Sequence, residues 1–437
     1  MSFVYGLSAV SGVILILLYM SKYRWEIKLV DSAILLAVIA FAIRILACFV
    51  SDGFVQTVNT YKNWSDLLCS EGLRSFQAEE MYTGFQPGYV YVLYLLGHIR
   101  HFFRIPDGFA HTMLIKMPAI IMDCAISVFI YRVARRKSKK QTAWLISLFW
   151  ALNPASVFIS SVWGQTDSIY LIFLLIAVYR LTTGNYSSSF VFYALSLLLR
   201  PQAVIFMPLF IYAPYDYIKN LEDASFKDIM RFLDKLFPAL FIIICAILPF
   251  SVGFNLEPVF KQFGDAFRAN PYIVMNGANL HALMGFNWVE SSHMVFGIIP
   301  HGVLTMSAVM AVMLASFIVL HKNRRDDRYF FTAAFISVTV FMLGAKMNER
   351  SLLPVAAFLL ASLAVRFKDE YLFMYCAFCL SIFANCAAVM NIYLNYTDVS
   401  QLALPLGIIG IVNIGLTIFF IAKAYGSIKH EKQWRAV

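Results

Sequence analysis

Charge is scarce in this chain of 437 residues: 14% are Asp, Glu, Lys or Arg, against 60% hydrophobic. That balance excludes an ordinary soluble domain. Gly-rich turns of the kind that cradle nucleotide phosphates are missing from the polar loops, so cytosolic nucleotide chemistry has no visible seat. No spacing of two or more His or Cys suits a metal, and no serine-nucleophile motif is evident. Cysteine is sparse and badly placed for a disulfide framework. Cys48, Cys124, Cys245, Cys376, Cys379 and Cys386 fall in or at the ends of apolar runs, and Cys69 alone sits clearly in a loop. Cys376 and Cys379 have redox-motif spacing, but in an apolar helix they read as packing residues. A cleavable leader is not expected either. The run Phe3 to Met20 is long for one, lacks a basic start and has no small-residue cleavage site.

What is present is a succession of apolar runs from Phe3 to Ala422. A hydrocarbon core about 30 Å thick needs roughly 20 apolar residues per helix. The expected fold is therefore all-α, a polytopic transmembrane bundle of about 11–13 membrane helices. The net charge of +10 could suggest nucleic acid, but the basic residues sit in short loops between spans. They record orientation instead. Arg132 to Lys140, Lys322 to Arg328, Lys22 to Lys28 and the C-terminal Lys423 to Arg435 should all be cytoplasmic. The expected division is an extra N-terminal span and turn (1–28), a catalytic core (29–366) and C-terminal spans with a tail (367–437). Within the core, 51–111 and 253–301 form large extracytoplasmic loops, the first carrying interfacial helices such as 87–104.

Residues 188–215 resist a simple count, because both flanks are assigned to the cytoplasm. Proline at Arg200-Pro201-Gln202 removes a backbone donor and breaks the helix there. Two half-helices meeting at that break, with Arg200 at the tip, satisfy the parity. A single kinked helix with Arg200 snorkelling is the alternative.

This topology gathers the polar motifs on one face. Asp52 opens the first outer loop, Trp163-Gly164-Gln165-Thr166-Asp167 joins two spans, Asn279 and His281 lie in the 253–301 loop, and Lys346-Met347-Asn348-Glu349-Arg350 divides two apolar runs. Ionisable groups placed so usually line an aqueous cavity or a polar ligand site. A carboxylate at the boundary, Asp52, suits a general base for an acceptor hydroxyl. Arg200, Lys346 and Arg350 suit the charge of a departing phosphate. Tyr61, Trp64, Gln86, Tyr89, Trp163, Gln165, Asp167, Asn279, His281, Asn348 and Glu349 supply rings and polar groups for a sugar or acceptor. Blander readings stand beside these: Asp52 as a turn cap, Trp163 as an interfacial belt residue, His98 and His101 as interfacial. No cofactor is required, although Asp52 with Glu349 or Asp167 could hold a divalent metal if the fold brings them together.

These stations, in this order, resemble the C-type (GT-C) membrane glycosyltransferases. The resemblance begins with Asp52, Tyr61-Lys62-Asn63-Trp64 and Gln86-Pro87-Gly88-Tyr89-Val90-Tyr91. Lys116-Met117-Pro118 with Asp123, Asn153-Pro154, Trp163 to Asp167, Arg200-Pro201-Gln202, Asn276 to His281 and Lys346 to Arg350 continue it. It covers about residues 30 to 365 and is nearest the bacterial mannosyltransferase-like branch. Departures occur at Asn348, where the related motif usually has His, at Arg200, where Lys is common, and at Gln86 and Gly88 around the Tyr-Pro-Pro-like stretch.

The resemblance implies an inverting transferase. It would move a mannose- or hexose-like sugar from a polyprenyl-phosphate donor to an extracytoplasmic hydroxyl, on a lipid-linked glycan, polysaccharide or protein. Asp52 would be the base, with Arg200, Lys346 and Arg350 at the donor phosphate. The expected location is the plasma membrane, or the endoplasmic reticulum in a eukaryote. Two rivals act through other chemistry. A glycan flippase or transporter should show internal repeats, and none is evident. A polysaccharide polymerase should carry a large central Arg-rich outer loop, whereas the largest loop here comes first.

Overall fold

The computed structural model describes residues 33–73, 75, 87–219, 221, 225–251, 257, 261, 270–295, 297–394 and 399–434. The expected first span, Gln86 and much of the 253–301 loop lie outside these residues. Among the described residues the protein is all-α apart from two pairs of two-residue strands. Among the described residues, five helices are long and apolar enough to cross a membrane, or six if one pair bent by 41° counts as a single span. Four shorter apolar helices accompany them. The chain is thus a multi-pass membrane protein.

Helix α1 (Ala33–Cys48) leads into α2 (Val55–Glu71), α3 (Pro87–Phe103) and the long α4 (Phe109–Ala134). Helix α5 (Lys140–Ala151) stops at Leu152, and Asn153 restarts the chain as α6 (Pro154–Val157). The reason is local. The Asn153 side chain accepts from the amides of Ala155 and Ser156, and proline takes the first helical position. A π-turn, Phe158–Trp163, then ends at left-handed Gly164 (φ 80°) before α7 (Asp167–Thr182).

Next come α8 (Tyr186–Leu199), a 3₁₀ turn over Pro201–Phe206 and α9 (Met207–Lys219). These form the hairpin expected from the proline break. Tyr186 meets Tyr217 with ring centroids 5.8 Å apart, and Tyr193 stacks on Phe210 at 3.7 Å. Rising residue numbers on one arm thus meet falling numbers on the other, as antiparallel arms require. Arg200, extended at φ −151°, is the tip.

Helices α10 (Phe226–Leu233) and α11 (Phe237–Ile247) follow, then strand β1 (Val274–Met275), the short α12 (Leu280–Leu283), and β2 (Met294–Val295) paired with β3 (Ile299–Pro300). Helices α13 (His301–Lys322) and α14 (Arg328–Leu343) precede strand β4 (Met347–Asn348). The bundle ends with α15 (Leu353–Val365), α16 (Asp369–Leu394) and α17 (Ala403–Trp434). Helices α14 and α15 form the centre: nearly every residue of both is buried. Their all-round apolar sequence is what a helix with no polar neighbour requires.

One buried charge pair pins this core. Arg44 of α1 and Asp123 of α4 are both fully buried and joined Nε to Oδ2 at 3.1 Å. Arg44 also donates to the carbonyls of Ala40, Trp150 and Ala151 and to the Ser156 hydroxyl. Asp123 Oδ1 accepts from Trp150 Nε1 and Ser168 Oγ. The broken α5–α6 junction leaves carbonyls without helical partners, and Arg44 satisfies them.

Candidate active site

Strand β4 seats the Lys346–Arg350 motif. It pairs in parallel with β1, Val274 opposite Met347 and Met275 opposite Asn348. Gly277 allows the close approach, since a Cβ there would lie 3.1 Å from the Met347 and Asn348 carbonyl oxygens. Lys346 adopts a left-handed backbone (φ 63°), held by its N–H donating to Ile273 O at 2.7 Å. A non-glycine residue in that region is uncommon and points to a locally over-determined loop. Asn348 Oδ1 accepts from the Arg350 amide and the Ser351 hydroxyl, so its amide shapes the turn that aims Arg350. Asn279 and His281 brace the loop from beneath. Asn279 caps α12 through Ala282 N and donates to Phe341 O, while His281 Nε2 lies 3.0 Å from Leu343 O.

Arg350 then meets Asp167. Its Nε lies 3.1 Å from Asp167 Oδ2, and its Nη1 donates to Glu349 Oε1 at 2.7 Å. The other Asp167 oxygen accepts from Arg200 Nη1. Three motifs far apart in sequence therefore close into one cluster, Arg200–Asp167–Arg350–Glu349. Asp167 is buried, and the two guanidinia keep 14% and 20% of their side-chain surface open. The Arg200 guanidinium also lies over the Tyr170 ring, 5.2 Å from its centroid. Burial pushes the Glu349 carboxyl above its ordinary value, with Arg350 opposing. Burial pulls the Lys346 ammonium below its own.

Aromatic rings cover the cluster. The Tyr61 hydroxyl faces Thr166 and the two arginines, and burial pushes its pKa up. Its ring meets Tyr89 edge-on at 5.0 Å and Trp64 at 6.1 Å. Two glycines bring α3 against its neighbours, Gly97 against α2 and Gly88 against α8. A Cβ on Gly97 would fall 2.1 Å from Ser65 O, and one on Gly88 would fall 3.0 Å from Leu198.

Asp52 lies on the adjoining loop and is exposed. Ser51, not Asp52, supports the turn, through Gly53 N to Ser51 Oγ at 3.1 Å, and Phe54 is the N-cap of α2. Among the described residues, none donates a hydrogen bond to the Asp52 carboxylate. The loop is tied to the Trp163–Asp167 connector by Phe54 N to Trp163 O at 2.9 Å. Lys116, buried within α4, clamps the same loop to the π-turn before that connector, through Ser51 O (2.7 Å) and Ser161 O (2.8 Å). Trp163 is 2% exposed and packs on Phe54 and Phe158, so it belongs to the core and not to an interfacial belt. Gln165 is buried beside it.

Four buried polar atoms in this region lack hydrogen-bond partners among the described residues: Tyr89 Oη, Trp163 Nε1, Asp167 Oδ2 and Arg350 Nε. The last two form the ion pair above but are not aligned as a hydrogen bond. Buried polar groups normally find partners, so such a concentration marks a place where a polar ligand or water completes the structure. Asp167 and Glu349 are engaged by guanidinia, and no group of three His, Cys, Asp or Glu among the described residues is placed to hold a metal.

Lys116, Thr166 and Tyr170 are the site residues whose parts the sequence did not assign. The signal for Lys116 was a lone lysine in an apolar helix. Thr166 and Tyr170 offered none beyond their nearness to Asp167. Compared with known proteins, the chain matches no family model and no curated protein.

Proposed function

We propose that this chain is a membrane glycosyltransferase that moves one sugar from a polyprenyl-phosphate donor to an acceptor hydroxyl on the extracytoplasmic side. The observation that carries this reading is the Arg200–Asp167–Arg350 cluster, with its unsatisfied polar atoms, beside the ring-lined Tyr61–Tyr89 wall and the open Asp52 carboxylate. Asp167 fixes the planes of both guanidinia, and each retains N–H groups for a phosphate. Fixed donors aimed at developing charge stabilise a leaving group without reorganising. Bidentate guanidinium–phosphate contacts add geometric selectivity. Lys346, on its constrained loop, adds a third cation.

In the proposed reaction Asp52 accepts the proton of the acceptor hydroxyl as its oxygen attacks the anomeric carbon. The bond between that carbon and the phosphate oxygen breaks, and polyprenyl phosphate leaves with the electron pair. One displacement with one base and no covalent intermediate inverts the anomeric centre. Tyr61, Trp64 and Tyr89 offer ring faces and hydroxyls to the sugar. The basic loops at the opposite end of the bundle support placing this end outside the cytoplasm. On this reading the bundle is GT-C-like, its shorter apolar helices complete the set of spans, and the sugar is hexose-like.

The test is incorporation of radiolabelled sugar from a synthetic polyprenyl-phosphate donor by the purified protein, run beside a sealed-vesicle assay of lipid translocation. Sugar transfer without translocation is the expected result. Translocation without transfer would make the protein a flippase.

A further inference from the structure

A second group of unsatisfied buried atoms lies at the other end of the bundle, where α13 gives way to α14. Asn323 Nδ2, Arg325 Nη2 and Asp327 Oδ1 lack hydrogen-bond partners among the described residues. We propose that this loop, together with Arg366 and Lys368, is a binding site for a phosphate group, separate from the candidate active site and independent of the reading given to it.

The loop is built to hold a guanidinium still. Asn323 is 1% exposed. Its Oδ1 accepts from both the amide (3.2 Å) and Nε (2.9 Å) of Arg325. The guanidinium lies over the Phe331 ring, 4.8 Å from its centroid. Those contacts fix the plane and consume Nε, leaving Nη2 as a donor without a partner. Asn323 has spent its oxygen, so its Nδ2 is also a free donor. A fixed guanidinium fork with an adjacent amide donor is suited to two oxygens of one phosphate.

The local charge agrees. Lys368 Nζ lies over the ring of Tyr371, 5.7 Å from its centroid, the same Tyr371 whose hydroxyl reaches Asp327, and Lys368 is pulled below its ordinary value first by burial and then by Arg325 and Arg366. One carboxylate, Asp327, faces them. Its Oδ1 is 3.5 Å from Arg325 Nε, and its Oδ2 accepts from Tyr371 Oη at 2.6 Å. Among the other nearby acids, Asp326 pairs with Lys137 at 2.8 Å and Glu370 with Lys423 at 2.7 Å, while Asp369 stands in the first turn of α16 next to Lys368. Three cations against two carboxylates, Asp327 and Asp369, leave an excess of positive charge beside two unsatisfied donors. An anion resolves both. Asp327 Oδ1 is left for a water or for the hydroxyl of a protonated phosphate.

Two sources share this chemistry: a soluble phosphate and the headgroup of an anionic phospholipid. The experiment separates them with the full-length purified protein at fixed ionic strength. One arm titrates inorganic phosphate against chloride in detergent. The other compares nanodiscs of phosphatidylglycerol with nanodiscs of phosphatidylcholine. Thermal unfolding and intrinsic fluorescence are read in both. An upward shift in melting temperature with phosphate assigns a soluble ligand, and a shift with phosphatidylglycerol alone assigns a headgroup. In either case the Arg366→Gln/Lys368→Gln double variant, altered at the rim of the loop, should lose at least tenfold in affinity. Arg325→Gln should lose more, and its circular dichroism shows whether it has folded. The proposal is overturned if neither phosphate nor phosphatidylglycerol shifts the wild type, or if the folded double variant binds as the wild type does.

Discussion

Asp167 Oδ2 lies 3.1 Å from Arg350 Nε although the two residues sit in motifs on opposite sides of the chain's midpoint. The same carboxylate also holds Arg200. Removing its charge takes from Arg200 the carboxylate it pairs with and leaves Arg350 with Glu349, in a largely buried setting. Asp167→Asn should therefore destabilise the protein by about 3 kcal/mol, as breaking a buried ion pair does. Thermal unfolding in detergent measures it. A wild-type melting temperature in the variant would mean that the cluster contributes nothing to the fold.

Glu349 sets a pH dependence. Burial raises its folded-state pKa above the ordinary 4.5. Its contribution to stability is thus fully present below the unfolded value and declines as pH rises from there through the raised folded value. Glu349→Gln removes this titration, so the variant should show a flatter stability profile over that window. Melting temperatures of both proteins from pH 4 upward, on the order of half-unit steps, give the comparison.

Arg44 and Asp123 are a fully buried pair with every contact satisfied. Arg44→Met or Asp123→Asn alone should cost about 3–5 kcal/mol, because each leaves the other uncompensated. The double replacement Arg44→Met/Asp123→Asn should cost less than the sum of the singles. Unfolding midpoints of the two singles and the double close the cycle.

Gly97 is the contact point of α2 and α3. A methyl group there collides with Ser65 O at 2.1 Å. Gly97→Ala should push the helices apart, cost about 1–3 kcal/mol by overpacking and shift Tyr61 from Tyr89. Lower transfer activity with a modestly lower melting temperature is the expected pair of readings.

Much of this was legible in local sequence. Hydropathy sets the class, and proline after Arg200 marks the hairpin break because a missing donor acts within one turn. The motifs around Asp167, Arg200 and Arg350 announce themselves as charges between apolar runs. Their mutual pairing does not. Arg44 and Asp123 are 79 residues apart, and no periodicity encodes which charge a buried arginine will meet. The parallel pairing of β1 with β4 involves two residues on each side, too few to leave an alternation. Asn279 and His281 look like ligand residues by type, yet the fold uses them as braces. Residue type records what a group can bond to, and only tertiary placement decides what it does bond to.

The central claim rests on Asp52, whose exposed carboxylate we propose as the base of the transfer. The direct measurement is the transfer rate of Asp52→Asn against wild type with a polyprenyl-phosphate sugar donor, with melting temperatures recorded for both. Loss of general-base catalysis predicts a fall of about 10²–10⁴-fold in kcat with an unchanged melting temperature, since no hydrogen bond or ion pair among the described residues holds the side chain. Equal rates in the two proteins would contradict the account.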